Sequence, residues 1–176
     1  VHDTVREITG KTRVDGTVIT VPAPFVRDAA FEAIEAGIRI LVIVTELIPR
    51  GEGAQIVELA AMRGARLIGP NCLGILSPGE AKMGGLGGRA EDCRKAFTKG
   101  PIGVMSRSGG MTTEISSTLT LAGLGQSTAV SIGGDAIIGS AYAELMPLYE
   151  ADPETKAIVI YSEPGGQMEA GLATWV

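Results

Sequence analysis

The chain has 176 residues, 45% hydrophobic and 20% charged, enough to bury a full core in one domain or two small ones. Aromatic residues are only 4% and the net charge is −5 with no basic run, which excludes a base-stacking or phosphate-coating nucleic-acid binder and a membrane-surface binder. No apolar run approaches the ~18 residues that a spanning helix needs.

Thr4 to Ile8 reads as part of a helix with Val5 and Ile8 on its apolar face. Val14-Asp15-Gly16 is a turn, and the β-branched run Thr17 to Val21 is a strand. Pro22 and Pro24 end that strand and open a helix that places Phe25, Ala29, Ala33 and Ala36 at helical spacing and stops at Gly37. Ile38 to Val44 is almost wholly apolar, as a strand buried on both faces would be. Glu52 to Arg63 is an amphipathic helix closed by Gly64, and Ala65 to Gly69 is the next strand.

This β-α-β-α-β order predicts a parallel sheet whose strand-end loops, Pro22–Phe25, Thr45–Glu46 and Pro70–Gly74, share one edge. No G-x-G-x-x-G fingerprint accompanies them. Leu73 to Gly100 is rich in glycine and charge and reads as an irregular connection between two domains.

The second half repeats the alternation: strands at 102–105, 127–132 and 157–161, helices at 111–122 and 141–149. At Ser106-Arg107-Ser108-Gly109-Gly110 an apolar strand breaks and a helix restarts. Free N–H groups and the positive helix end then converge on a spot suited to phosphate or carboxylate, with two hydroxyls and a guanidinium close by. An ordinary strand–helix turn remains the alternative. Gly133-Gly134-Asp135 and Ser162-Glu163-Pro164-Gly165-Gly166 are the other loops on that edge. Asp135 can serve the site or cap its own turn.

Cys72 and Cys93 have neither C-x-x-C spacing nor a histidine pair nearby, which predicts a reducing compartment and no structural metal. The start lacks an initiator methionine and a signal-peptide profile, and the end stops inside a helix, so a piece of a longer protein is expected.

Several motifs agree in order with one family. Gly69-Pro-Asn-Cys-Leu-Gly74, Ser106-Arg-Ser-Gly109, Gly133-Gly-Asp135 and Glu163-Pro-Gly-Gly166, preceded by Val21-Pro-Ala-Pro-Phe25 and Val44-Thr-Glu46, resemble the α subunit of succinyl-CoA synthetase and other nucleoside-diphosphate-forming acyl-CoA synthetases. The resemblance implies an α/β fold of two doubly wound parallel-sheet domains, a Rossmann-like CoA-binding domain over 1–70 and a flavodoxin-like ligase domain over 71–176. It implies acyl-CoA formation from a small carboxylate, CoA and ATP or GTP. The nucleotide and its Mg2+ would sit on an ATP-grasp β subunit or fused domain, giving a hetero-oligomer. A phosphohistidine would carry the phosphoryl group.

The resemblance makes Ser106, Arg107, Ser108 and Gly109 the phosphohistidine cradle and Glu163 the carboxylate that orients the histidine. Pro22, Pro24, Val44, Thr45, Glu46, Asn71 and Cys72 fall on CoA-contacting segments. For Cys72 a buried packing thiol is the expectation and a nucleophile is not. A cytoplasmic location follows, or the mitochondrial matrix in a eukaryote.

The sole histidine, His2, lies outside any Gly-His-Ala-Gly context, so the active histidine is expected beyond this chain, as is the family's glycine loop for the CoA phosphates. Ser108-Gly-Gly-Met-Thr-Thr-Glu114 departs from the Ser-Gly-Thr-Leu-Thr-Tyr-Glu usual in succinyl-CoA synthetases, Thr113 standing at the tyrosine position. The Gly109-Gly-Met111 wording is closer to ATP-citrate lyase. Succinate is the first expectation, citrate the alternative, and a non-catalytic CoA-binding module the reading of another class.

Overall fold

The computed structural model describes residues 1–164 and 167–175. Two α/β units follow one another, each built on a sheet with a parallel core. In the first unit, α1 (Val5–Thr9) leads to β1 (Gly16–Ile19), α2 (Ala23–Glu35), β2 (Ile40–Ile43), α3 (Arg50–Arg63) and β3 (Arg66–Ile68). The strands pair in parallel in the order β1-β2-β3. β2 and β3 are nearly all apolar because both faces of the sheet are covered. Leu41, Ile43 and Leu67 pack with Val26, Ala30, Ala33 and Ile34 of α2 and Ile56 and Ala60 of α3. The alternate residues Val42 and Ile68 face the other way, into a core shared with the second unit.

α2 corrects one expectation. Its buried stripe is Val26, Ala30, Ala33 and Ile34, and Phe25 is 62% exposed. The helix starts at Ala23, so the spacing i, i+4, i+7, i+8 that meets the sheet begins one residue later than the sequence suggested. α3 ends as expected, with Gly64 in the left-handed conformation at φ 65°.

The segment 73–100 is not an irregular connection. It contains β4 (Gly74–Ser77), β5 (Ala81–Gly84) and the short helix α4 (Ala90–Ala96). β4 and β5 form an antiparallel hairpin, and β4 continues into the second sheet by pairing antiparallel with β7. The rest of that sheet comes from β6 (Lys99–Ser106), α5 (Gly109–Leu121), β7 (Gln126–Ser131), α6 (Tyr142–Ala151) and β8 (Ala157–Tyr161), followed by α7 (Met168–Trp175). The order is β5-β4-β7-β6-β8, with β7, β6 and β8 parallel.

Alternation again assigns the faces. Val104, Ala129 and Leu76 pack against Ala96, Phe97 and the partly buried Ile115 and Leu119, under α4 and α5. Met105, Val130 and Ile132 turn to Tyr142, Leu145, Met146 and Tyr149 of α6 and to Val42 and Ile68 of the first sheet. One apolar core thus serves both sheets.

Candidate functional site

Parallel strands put their carboxyl ends on one edge, and in the first sheet the loops there are tied to one another. Val44 N donates to Ile19 O (3.0 Å), Thr45 Oγ1 to Val21 O (2.7 Å) and Asn71 N to Thr45 O (3.0 Å). β4 then enters the second sheet at its site edge, since Gly74 pairs with Ser131, the last residue of β7. The two edges face each other across an open cleft of about 500 Å³. Thr20, Val44, Thr45, Glu46, Asn71, Cys72 and Leu73 line it from one side, Gly109 and Gly110 from the other. Pro22 and Pro24 are exposed at the start of α2 and lie outside this cleft.

Cys72 is buried, and its thiol donates to Ile43 O at 3.2 Å. Burial pushes the thiol pKa up to about 12, so it is a packing and hydrogen-bonding group at neutral pH.

The strand-to-helix turn at 106–109 is tighter than the sequence suggested. α5 begins at Gly109, so Gly109 and Gly110 form its first turn, where N–H groups have no acceptor within the helix. Ser106 is fully buried, and its Oγ donates to Ser108 O (2.8 Å) while accepting from Ser108 N (3.1 Å). Ser108 Oγ is the helix cap and accepts from Met111 N (3.3 Å). Both hydroxyls therefore build the turn. Gly109 has no room for a side chain, because an added Cβ would lie 2.4 Å from Leu73 Cγ.

Arg107 is 5% exposed, and its Nη2 donates to the carbonyls of Gly134 (2.8 Å) and Asp135 (3.1 Å). Its Nε has no hydrogen-bond partner, and it pairs with no carboxylate, among the described residues. Its hydrogen-bond acceptors are neutral and the charge that acts on it, the Glu169 carboxylate, forms no ion pair with it, so the guanidinium keeps capacity for an anion beside the turn.

Glu163 is half-buried two residues beyond the end of β8, and the glycines 165 and 166 that complete its motif lie outside the described residues. β8 runs beside β6, pairing Ser106 with Tyr161, and Arg107 N donates to Tyr161 O (3.2 Å). Glu163 therefore follows the strand that flanks the turn. Tyr142 donates to the same Tyr161 carbonyl at 2.7 Å, and its pKa is pushed up to about 12, first by burial and then by the Glu169 charge, with Glu163 adding to it. Ser162 Oγ donates to the Glu169 carboxylate and holds it below the usual carboxylate range.

His2 pairs with Glu7 (Nδ1 to Oε1, 3.1 Å) and lines no part of the cleft. Among the described residues no three His, Cys, Asp or Glu are grouped to hold a metal ion, and no helix is long and apolar enough to cross a membrane. Sequence reasoning missed Thr20, singled out neither Leu73 nor Gly110 within the loops it placed on the site edges, and missed the carbonyls that hold Arg107. The first two are common packing residues. The carbonyls leave no trace in residue type.

Two strand-end edges around a shared cleft, with a buried cation beside one of them, define a two-domain α/β ligand-binding protein. Residues 1–47 match the family model of the CoA binding domain, and residues 99–172 match that of the succinyl-CoA ligase like flavodoxin domain. The chain belongs to the family of succinyl-CoA ligase α subunits and related acyl-CoA synthetases.

Subunit alpha 2 of the ADP-forming succinate–CoA ligase of Archaeoglobus fulgidus is 43% identical over 176 residues, covering 100% of this chain and 59% of that protein. A subunit of an ADP-forming sulfoacetate-CoA ligase from an Acholeplasma species is 40% identical over 173 residues, covering 98% of this chain and 57% of that protein. Among solved structures, ATP citrate lyase of Methanosaeta concilii in complex with (3S)-citryl-CoA superposes with a TM-score of 0.92 at 25% identity, over 98% of this chain and 29% of that one. The chain thus spans less than two thirds of the curated relatives it matches.

Proposed function

We propose that this chain is the CoA-binding and phosphoryl-receiving segment of an acid–thiol ligase that forms acyl-CoA from a carboxylate, CoA and ATP or GTP. In this reading the phosphoryl group arrives on a histidine outside the chain, and the nucleotide with its Mg2+ is held by an ATP-grasp partner subunit or domain. The observation that carries it is the cleft where Thr45, Glu46, Asn71 and Leu73 meet Gly109 and Gly110, beside the buried Arg107, whose Nε has no partner among the described residues.

In this reading residues 1–70, with Asn71 just past their boundary, serve CoA, and the rest of 71–176 serves the phosphoryl step. Val44, Thr45, Glu46 and Asn71 would hold CoA along the cleft, with Pro22 and Pro24 flanking it outside. Cys72 contributes a wall rather than a nucleophile. Bound there, CoA supplies the thiol of the product thioester.

The Gly109 and Gly110 N–H groups and Arg107 give the turn its affinity for a phosphoryl anion. Ser106 and Ser108 keep that turn in shape. Glu163, at the end of the neighbouring strand, is placed to orient an incoming imidazole and to stabilise its charged form.

Succinate is the first candidate acid, supported by the 43% identity to a succinate–CoA ligase subunit. A citrate-directed enzyme is the second reading, supported by the fit to a citryl-CoA complex and by Gly109-Gly110-Met111. The test is a panel of succinate, citrate and sulfoacetate offered to the full-length protein with its partner subunit, reading thioester formation and nucleoside diphosphate release. Turnover with one acid assigns the substrate. CoA binding without thioester from any of them would replace the ligase reading with that of a non-catalytic CoA-binding module.

A further inference from the structure

Asp135 reaches two places at once. Its carboxylate Oδ1 accepts from Asn71 Nδ2 at 3.0 Å, and the Asn71 main-chain N donates to Thr45 O, so this end is fastened to the wall of the cleft. Its main-chain carbonyl accepts from Arg107 Nη2, next to the Gly134 carbonyl, so the other end is fastened to the buried cation. Gly134 N donates back to Asn71 O at 2.9 Å and closes the ring.

The ring is held closely. Asn71 sits at φ +55°, a left-handed conformation that asparagine tolerates. At Gly133 an added Cβ would lie 2.3 Å from Pro70 O, so the 133–135 loop rests directly on the 69–71 turn. Among the described residues Arg107 makes its side-chain hydrogen bonds only to this loop. Wherever the two carbonyls go, the guanidinium follows.

We propose that Asp135 is a positioning residue: by gripping Asn71 it fixes the two carbonyls that aim Arg107, and it thereby couples occupation of the CoA cleft to the reach of Arg107 toward an anion at the 106–109 turn. This rests on the reading given above, that the turn receives a phosphoryl group. A ligand pressing on Thr45 or Asn71 moves the loop through Asp135, and the cation moves with it.

The experiment uses the full-length protein with its partner subunit. It measures phosphoryl labelling from γ-labelled nucleotide with and without CoA, and thermal midpoints in parallel, for Asp135→Ala and Asp135→Asn. In Asp135→Ala, labelling slows about tenfold and no longer responds to CoA, with the midpoint little changed. In Asp135→Asn, whose amide oxygen still accepts from Asn71, labelling returns to within about twofold of the wild type and regains its response to CoA.

Wild-type labelling in Asp135→Ala overturns the coupling. So does an Asp135→Asn variant as impaired as Asp135→Ala, with both midpoints lowered alike, since that is the pattern of a loop that only folds. A wild-type protein that binds CoA but takes no label overturns the phosphoryl reading itself, and this coupling with it.

Discussion

The Ser108 hydroxyl caps a helix and stands beside a site proposed to take a phosphoryl group, and the two roles can be separated. Removing it in Ser108→Ala costs about 1 kcal/mol, because the Met111 N–H loses its acceptor. Aspartate also caps, so Ser108→Asp keeps the helix start but adds a negative charge to the cradle. The expected outcome is an unfolding midpoint near that of the wild type with phosphoryl labelling lost. Ser108→Asp that labels normally would remove the turn from the mechanism. At Cys72 the buried thiol stays protonated, so native protein treated with iodoacetamide should be alkylated at the half-buried Cys93 first, as peptide mass spectrometry would read.

Cys72 and Tyr142 also set an alkaline limit. The thiol is raised from an ordinary 9.0 and the phenol from 10.0, each to about 12. Both groups ionise earlier in the unfolded chain than in the folded one. Their contribution to stability is therefore whole below about pH 9 and is lost as pH climbs toward 12. Urea midpoints measured from pH 8 to 11 should fall over that span, and a flat profile would contradict the assignment. Residue types made Ser106, Arg107 and Ser108 conspicuous in the sequence. What holds Arg107 was not legible there, since any residue can offer a carbonyl and only the fold brings those of Gly134 and Asp135 to it.

Among the elements, the long apolar strands and glycine-closed helices could be read directly, since burial on both faces and left-handed caps leave strong marks. The β4–β5 hairpin was hidden because Ala81-Lys-Met-Gly84 has little β-propensity and half its side chains face solvent. Its turn was written in Pro78-Gly79, where Gly79 takes φ 84°, a signal that the surrounding glycines masked. The start of α5 gives an element-scale prediction. Gly109→Ala pushes a methyl into Leu73 and should cost about 1–3 kcal/mol and weaken CoA binding. Gly110→Ala, whose added Cβ comes no closer than 3.9 Å to Ser108 Oγ, should be neutral or stabilising. Denaturant unfolding and CoA titration of the pair would check both, and equal effects at the two glycines would deny the close approach of α5 to Leu73.

At the scale of the whole molecule, Val42 and Ile68 of the first sheet share a core with Met105, Val130 and Tyr142 of the second. Ile68→Ala should cost about 2–5 kcal/mol and lower the stability of both units together, seen as one calorimetric transition that shifts without splitting. Two separate transitions would mean that the shared core does not couple them.

The hairpin between the units carries a mechanical consequence. β4 and β5 are woven into the second sheet, and Met83 of β5 reaches back over Gly16 of β1, where an added Cβ would meet its Cε at 2.6 Å. What joins the halves is therefore a weld, not a hinge. Two lobes that could swing would close like jaws on a cofactor, whereas welded ones present a fixed anvil. Any closing stroke has to come from whatever docks against it. Small-angle scattering should accordingly give the same molecular envelope for this segment with and without CoA.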